Sequence, residues 1–353
     1  MKRPFFLLLL GCGFLHAEVE IVPQPDFNCL PGKTTVWTAA MQAAFDRLLG
    51  AQNSMKLDRV EPPNQLVAKM AGFSWKEDAV LPKDGWFAVT GDASEKLVDE
   101  ANQKWTLLGE AGRTPFKFSG ASGGRAAYVG MKRAFVFRNA FSPSAASRLR
   151  WGPDRVPVRF FGVRGEAAGD YAGSVRILAH RPSEQMMALQ FLAAHGDDTL
   201  VLYQPAVGQP MIEAMRWVTA WQKQWKERKG NGMDWDDKNL HRTDELRIPE
   251  ISLSAYDDFS DEFKGTLWFK SSKQPQQISQ AATEVMLKVD GAGVKFTASE
   301  TYQGVDPFAV QTVDPVPRRF WFDRPFFAFL WRDGAEWPHA AVWFGSSEGL
   351  GHL

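Results

Sequence analysis

The chain has 353 residues, is 44% hydrophobic and 23% charged, and balances 41 Lys and Arg against 41 Asp and Glu. That length holds one large domain or two medium ones, with enough apolar residues for a sizeable core. No basic block supplies the concentrated positive charge that a phosphate backbone requires, which argues against nucleic acid as a partner.

Residues 1–17, MKRPFFLLLLGCGFLHA, join a basic start at Lys2 and Arg3 to an apolar run from Phe5 to Leu15. The run is too short to cross a bilayer and predicts an export signal cleaved after Ala17. The mature chain, 18–353, is then secreted or periplasmic. Leu9-Leu10-Gly11-Cys12 carries a second reading, a lipobox in which Cys12 is acylated and the chain is lipid-anchored. The longest later apolar stretch, 320–330, is interrupted by Asp323, Arg324 and Pro325, so it reads as buried strand rather than membrane span. Beyond position 12 only Cys29 remains, which leaves no internal disulfide.

In KTTVWTAAMQAAFDRLLG, Val36, Ala40, Met41, Ala44, Phe45, Leu48 and Leu49 fall at helical spacing before Gly50, predicting a helix over 36–49. Residues 51–124 mix short helices with loops marked by EPPNQ, LPKDGW and GRTPFKFSGASGGR. Strand-like runs follow at 134–141, 156–163, 174–180, 186–193 and 199–205. A helix is predicted from Met211 to Lys229, with Trp217, Trp221 and Trp225 recurring every four residues along one stripe. Two readings of the stripe stand side by side: an aromatic face packed on a sheet, or a contact face for sugar or a partner protein. Strands return in ELRIPEISLSAY, ATEVMLKVD, FFAFLW and AAVWFG. Helices, then sheet with one late helix and no linker, predict a single α+β domain.

Catalytic and metal-binding patterns are sparse. His180, His195, His241, His339 and His352 lie far apart without the spacing of a metal site, so no metal and no cofactor is expected. Cys29 and His339 could in principle form a thiol protease pair, but Cys29 is followed by Leu-Pro-Gly, and a buried inert cysteine is the plainer reading. GASGGRAAYVG is glycine-rich but lacks the Lys-Ser/Thr that grips a triphosphate, and it reads as a loop. DWDDKN lacks the glycine and distal glutamate of a calcium loop and reads as a solvated turn. An enzyme is not expected.

The segment RFWFDRPFFAFLWRDGAEWPHAAVWFG resembles the end of serpins. There an aromatic strand reaches an Asp-Arg/His-Pro-Phe turn, matched by Asp323, Arg324, Pro325 and Phe326, and a last strand closes on Phe-Gly, matched by Phe344 and Gly345. ISQAATEVMLKVDGAGVKFTASE is similar to the serpin segment that leaves a central strand for the reactive-loop hinge, with Glu284 and Gly293 at the matching glutamate and glycine. LRIPEISLSAYDDFSDEFKG resembles the family's proline, amphipathic strand and Tyr-Asp passage through Pro249, Tyr256 and Asp257. AFVFRNAF resembles the strand that leads to Asn-Ala, here Asn139 and Ala140. These matches run in order over 134–345. The Ser-Pro-x-Ser that opens the second helix of typical serpins is absent, and Val36 and Trp37 stand in its place.

The resemblance implies a serpin-like single domain: a large, mainly antiparallel central sheet, smaller sheets and a helical layer. It implies that Glu284 to Asp290 is a central strand and that 294–319 is an exposed reactive loop. The hinge would comprise Gly293, Val294, Lys295, Phe296, Thr297, Ala298, Ser299 and Glu300. In inhibitory serpins, cleavage lets the first part of this loop insert as an extra strand, dragging the acylated protease with it. Were this loop to insert, Val294, Phe296, Ala298, Glu300 and Tyr302 would share one side, the more apolar one. Phe296 would stand where the resembling inhibitors have alanine, Glu300 would be carried inward, and Pro307 would offer no ladder donor. Two functions follow: an exported binding protein with a degenerate reactive loop, or a serine- or cysteine-type endopeptidase inhibitor acting by loop insertion. The expected partner is a protease or another extracytoplasmic protein, and the expected state a monomer.

Overall fold

The computed structural model describes residues 19–48, 59–82, 84–92, 94–109, 125–143, 148–230, 238–269, 276–277, 281–295 and 316–352. The predicted export signal with Cys12, and Phe296 to Glu300 of the hinge, lie outside the described residues.

In chain order, β1 (Val19–Ile21) and β2 (Thr34–Thr38) precede α1 (Ala39–Leu48), β3 (Arg59–Glu61), α2 (Gln65–Gly72) and α3 (Glu77–Val80). Then come β4 (Trp86–Asp92), α4 (Glu95–Leu107), β5 (Arg125–Met131), β6 (Phe135–Val136) and β7 (Ser142–Pro143). β8 (Leu149–Trp151), β9 (Val156–Val158), β10 (Phe160–Arg164), β11 (Val175–Arg181), β12 (Met186–Leu192) and β13 (Asp198–Gln204) lead to α5 (Met211–Gly230). The C-terminal part holds β14 (Glu245–Pro249), β15 (Ile251–Asp258), α6 (Ser260–Phe263), β16 (Leu267–Phe269), β17 (Gln276–Gln277) and β18 (Ala282–Asp290). It ends with β19 (Gly293–Lys295), β20 (Arg319–Trp321), β21 (Phe326–Arg332) and β22 (Ala340–Phe344).

Seven strands form the largest sheet, in the order β1-β2-β22-β21-β13-β12-β11, antiparallel except for β1 against β2. β12 and β13 are buried along their whole length, which explains their unbroken apolar runs: both faces of this sheet are covered. The alternation of β21 divides the core. Phe326, Ala328 and Leu330 pack toward the small sheets, whereas Phe327, Phe329 and Trp331 pack toward α5 with Met215, Val218 and Trp221. Two four-stranded sheets, β20-β14-β10-β7 and β15-β18-β19-β6, complete the first layer. The architecture is α+β, with a large mainly antiparallel sheet, smaller sheets and helices. No described helix is long and apolar enough to cross a membrane.

Several predicted elements shift. Thr34–Thr38 is a strand rather than the first turns of a helix, and α1 begins only at Ala39. Val36 and Trp37 suit either periodicity, and pairing with β22 decides for the sheet. Of 134–141, only Phe135–Val136 forms a strand. Downstream, the Phe137 and Phe141 backbone N–H groups donate to Ala292 and Gly291 carbonyls, so turn contacts replace the ladder. The run 156–163 breaks at Arg159 into β9 and β10, in different sheets, and ELRIPEISLSAY breaks after Pro249 into β14 and β15, also in different sheets.

Candidate functional site

β15 alternates buried Ile251, Leu253 and Ala255 with exposed Ser252, Ser254 and Tyr256. It pairs with β18 in unbroken antiparallel register, from Ile251 opposite Val289 to Asp258 opposite Ala282, which places Tyr256 opposite Glu284 and Asp257 opposite Thr283. At the end of β18 the Asp290 carboxylate accepts from the Ala292 N–H at 3.0 Å and tightens a turn. Gly293 then adopts φ +153°, and a Cβ there would sit 2.4 Å from the Phe135 carbonyl oxygen. Only glycine fits this approach.

The chain does not leave the sheet at this glycine. β19 pairs antiparallel with β18 on one side, Lys288 opposite Lys295, and with β6 on the other, Val294 opposite Phe135. Val294 is 1% exposed. Gly293, Val294 and Lys295 are thus a paired interior strand, which corrects the expectation of an exposed loop at Val294 and Lys295, while 296–315 of that expected loop lie outside the described residues. The reason is backbone satisfaction: between two sheet edges, a strand saturates donors that a loop would leave to water. Beyond Lys295 no described residue continues this slot. Among the described residues, 282–287 of β18 have a ladder partner only in β15, and β5 pairs only with β4.

The far end of the segment is also anchored. Arg318 reaches the buried Asp244 carboxylate from its backbone N–H at 3.1 Å, Nε at 3.1 Å and Nη2 at 2.7 Å, and Nη2 also meets the Asn239 carbonyl at 2.7 Å. The His241 N–H donates to the same carboxylate at 2.7 Å, so this buried charge is fully met. β20 then runs parallel to β14. Reasoning from the sequence missed the Asp244–Arg318 anchor. Arg318 and Asp244 belong to no motif, and only the parallel β14–β20 pairing brings them together.

The turn at Asp323–Phe326 is held from both sides. The Gly152 N–H donates to the Asp323 carbonyl at 2.8 Å, and Arg324 donates to the Gln185 carbonyl at 2.9 Å and to its side-chain oxygen. Burial raises the Asp323 carboxyl above its usual range against the pull of Arg324 and Arg155. At the close, the Gly345 N–H donates to the Lys33 carbonyl at 3.1 Å, and a Cβ on Gly345 would lie 2.3 Å from that oxygen. Asn139 donates to the Asp170 carbonyl at 2.7 Å, and the Ala140 carbonyl accepts from the Tyr171 hydroxyl at 2.8 Å.

The tryptophan stripe of α5 divides. Trp221 and Trp225 are 7% and 8% exposed, Trp221 edge-on to Tyr203 at 5.1 Å and Trp225 beneath the Arg176 guanidinium at 4.4 Å. Trp217 stays 51% exposed, and it alone of the three offers a large surface for contact. Cys29 and His339 make no protease pair. Burial pushes the Cys29 thiol up to about 12, and burial with the nearby Arg133 and Arg332 charges pushes His339 down to about 3. At neutral pH, the first is no thiolate and the second a poor base.

No protein-family model matches the chain, and no curated protein does. Solved structures do match. Human thyroxine-binding globulin aligns over 90% of this chain and 92% of its own, at 13% identity and a TM-score of 0.51. Human kallistatin aligns over the same shares, at 14% identity and a TM-score of 0.51. A serpin from the trematode Schistosoma haematobium aligns over 89% and 94%, at 12% identity and a TM-score of 0.50. The chain spans 64% of the length of a Schistosoma mansoni serpin, at a TM-score of 0.42. At these identities the likeness is one of fold, and the fold is serpin-like.

Proposed function

We propose that this chain is an exported, non-enzymatic binding protein with a serpin-like body, whose loop is a poor protease trap. The observation that carries this reading is the buried Val294 on β19. It fixes which face of the strand turns inward. Were the strand to extend on insertion, alternation would bring Phe296 onto the same face, opposite Leu287, and Glu300 two inward positions later. A large ring forced into a packed interior costs about 1–3 kcal/mol. An unpaired carboxylate carried inward costs several kcal/mol on top of that. The first three residues already occupy the slot in the uncleaved chain, so their pairing contributes nothing further on cleavage. Among the neighbours in fold, thyroxine-binding globulin is by name the binder of a small molecule, which accords with such a role.

One observation favours a second function, an endopeptidase inhibitor acting by loop insertion. The edge of β18 over 282–287 has no ladder partner beyond β15 among the described residues, and that is where an inserting strand would go. A single experiment separates the two. The loop is cut with a low-specificity protease, melting is compared before and after, and SDS-stable covalent complexes are sought across a protease panel. The binding-protein reading expects nearly unchanged melting and no complex. A rise of tens of degrees together with a complex would establish the inhibitor instead.

A further inference from the structure

The edge strand β11 of the seven-stranded sheet meets the edge strand β20 at His180 and Phe320, whose rings lie 4.6 Å apart. Beside this seam opens a cavity of about 270 Å3, just below the usual range for ligand pockets and sized for a small molecule. Its lining combines the buried Met186, the indole of Trp321, the amide of Gln204 and the guanidinium groups of Arg319 and Arg324.

The charges around it are unequally satisfied. Arg247 lies over the Trp321 ring at 4.1 Å, but its charge is met by Glu245 at 2.5 Å. Arg324 is held by Gln185 and lies 3.7 Å from the Asp323 carboxylate. Arg319 rests over Trp321 at 5.3 Å, is exposed, and has no carboxylate partner among the described residues. On two of the lining residues a polar atom also lacks a partner among the described residues: Trp321 Nε1, a donor, and the side-chain oxygen of Gln204, an acceptor on a residue only 2% exposed. Buried polar atoms without partners are costly in a finished interior, and they are expected where a ligand completes the set.

We propose that this cavity binds a small organic carboxylate with a flat apolar body. The planar guanidinium of Arg319 matches a carboxylate fork, and the apolar body packs against Trp321 and Met186. Gln204 reads a hydrogen-bond donor at the other end. Asp323 in the lining counts against a doubly charged phosphate. The proposal deepens the binding-protein reading by giving the ligand a chemical class, and it rests on that reading for its biological role.

The test uses two matched probes, 3-phenylpropionate and the neutral 3-phenylpropan-1-ol. Each is titrated into 15N-tryptophan-labelled protein while the Trp321 indole N–H resonance, assigned with Trp321→Phe, is followed. The acid is expected to shift that resonance saturably, with a dissociation constant at or below about 1 mM. The alcohol is expected to bind roughly tenfold or more weakly, and Arg319→Gln to weaken the acid by a similar factor. Arg319 is exposed, so melting should be unchanged in that variant, which separates lost binding from lost fold. Equal binding of acid and alcohol, full affinity in Arg319→Gln, or no saturable shift by about 10 mM would each overturn the proposal. The loop-cleavage experiment reads trapping without using this cavity, so a protein that fails here and still forms no covalent complex keeps its binding role with another ligand.

Discussion

The seven-stranded sheet and the four-stranded sheet that carries β19 are built on opposite terms. In the first, β21 and β22 are interior strands, and Phe326, Phe327, Phe329, Trp331, Trp343 and Phe344 are all within 1% of complete burial. Every interior strand there has partners on both sides. In the second, β15 and β18 bury one face and expose Tyr256, Met286 and Lys288 on the other, and among the described residues β18 is paired on both edges only over its last three. Among the described residues, one sheet is finished and the other is not. The difference teaches where stability resides and where movement can occur: local opening free energies follow buried apolar contacts and complete ladders.

The strongest way to break this comparison is to remove the finished part. Ending the chain after Phe322 deletes β21 and β22 together, and each fully buried large apolar side chain contributes about 1.5–3 kcal/mol. The sum exceeds a net stability of about 5–15 kcal/mol, so the truncated chain is expected to give no cooperative melting transition by calorimetry. A soluble truncation product with a sharp transition would show that the large sheet is not the stabilising body.

Next in size is a contrast within α5. Trp221→Ala opens a hole against Tyr203 and the sheet and is expected to cost about 3–5 kcal/mol in urea unfolding. Trp217→Ala, one turn earlier and half exposed, is expected to stay within about 0.5 kcal/mol. Comparable losses at both positions would mean that the stripe packs as a unit and that Trp217 is not surface.

The same residues show what the sequence could reveal. Apolar runs such as MMALQFLA and TLVLYQP are legible as strands because both of their faces are buried. The stretch TTVWT was misread because Val36 satisfies a helical spacing and a strand alternation equally, and the arbiter, β22, lies at the other end of the chain. After β18 the glycine break at 291–293 was legible, but the pairing of β19 was not. It depends on two residues, Phe135 and Val136, which no local pattern links to Val294. The cavity beside His180 was illegible for the same reason, since β11, β13 and β20 meet only in the fold.

A smaller effect comes from acid. His339 is fully buried between β21 and β22, and neither ring nitrogen has a partner among the described residues. Its folded value of about 3 lies below the ordinary 6.5 because burial, then Arg133 and Arg332, disfavour the cation. Between those values the unfolded chain binds a proton that the folded chain does not, so stability falls as pH drops from about 6.5 toward 3. At pH 5 this loss is about 2 kcal/mol relative to pH 7. His339→Leu should remove that part of the acid slope while leaving Asp198, whose raised carboxyl acts in the opposite sense, in both proteins. Equal acid slopes in urea titrations of the two proteins would refute the assignment.

The smallest global effect tests the unfinished sheet directly. In Gly293→Ala the new Cβ meets the Phe135 carbonyl at 2.4 Å, at a φ of +153° that alanine rarely adopts. β18 cannot yield easily, because it is in register with β15 along its full length, whereas β19 is only three residues long. The least costly response is therefore for β19 to leave the slot. Melting should move by only about 1.5 kcal/mol equivalent, the low end for one fully buried side chain, since Val294 is the main apolar loss. Hydrogen exchange should rise sharply at Val294 and Lys295, with slower changes at Phe135 and Val136 and none in β21. Exchange that rises equally in both sheets would mean that they unfold as one cooperative unit. In that case the place of β19 would be part of the finished core, and the contrast between the two sheets would be lost.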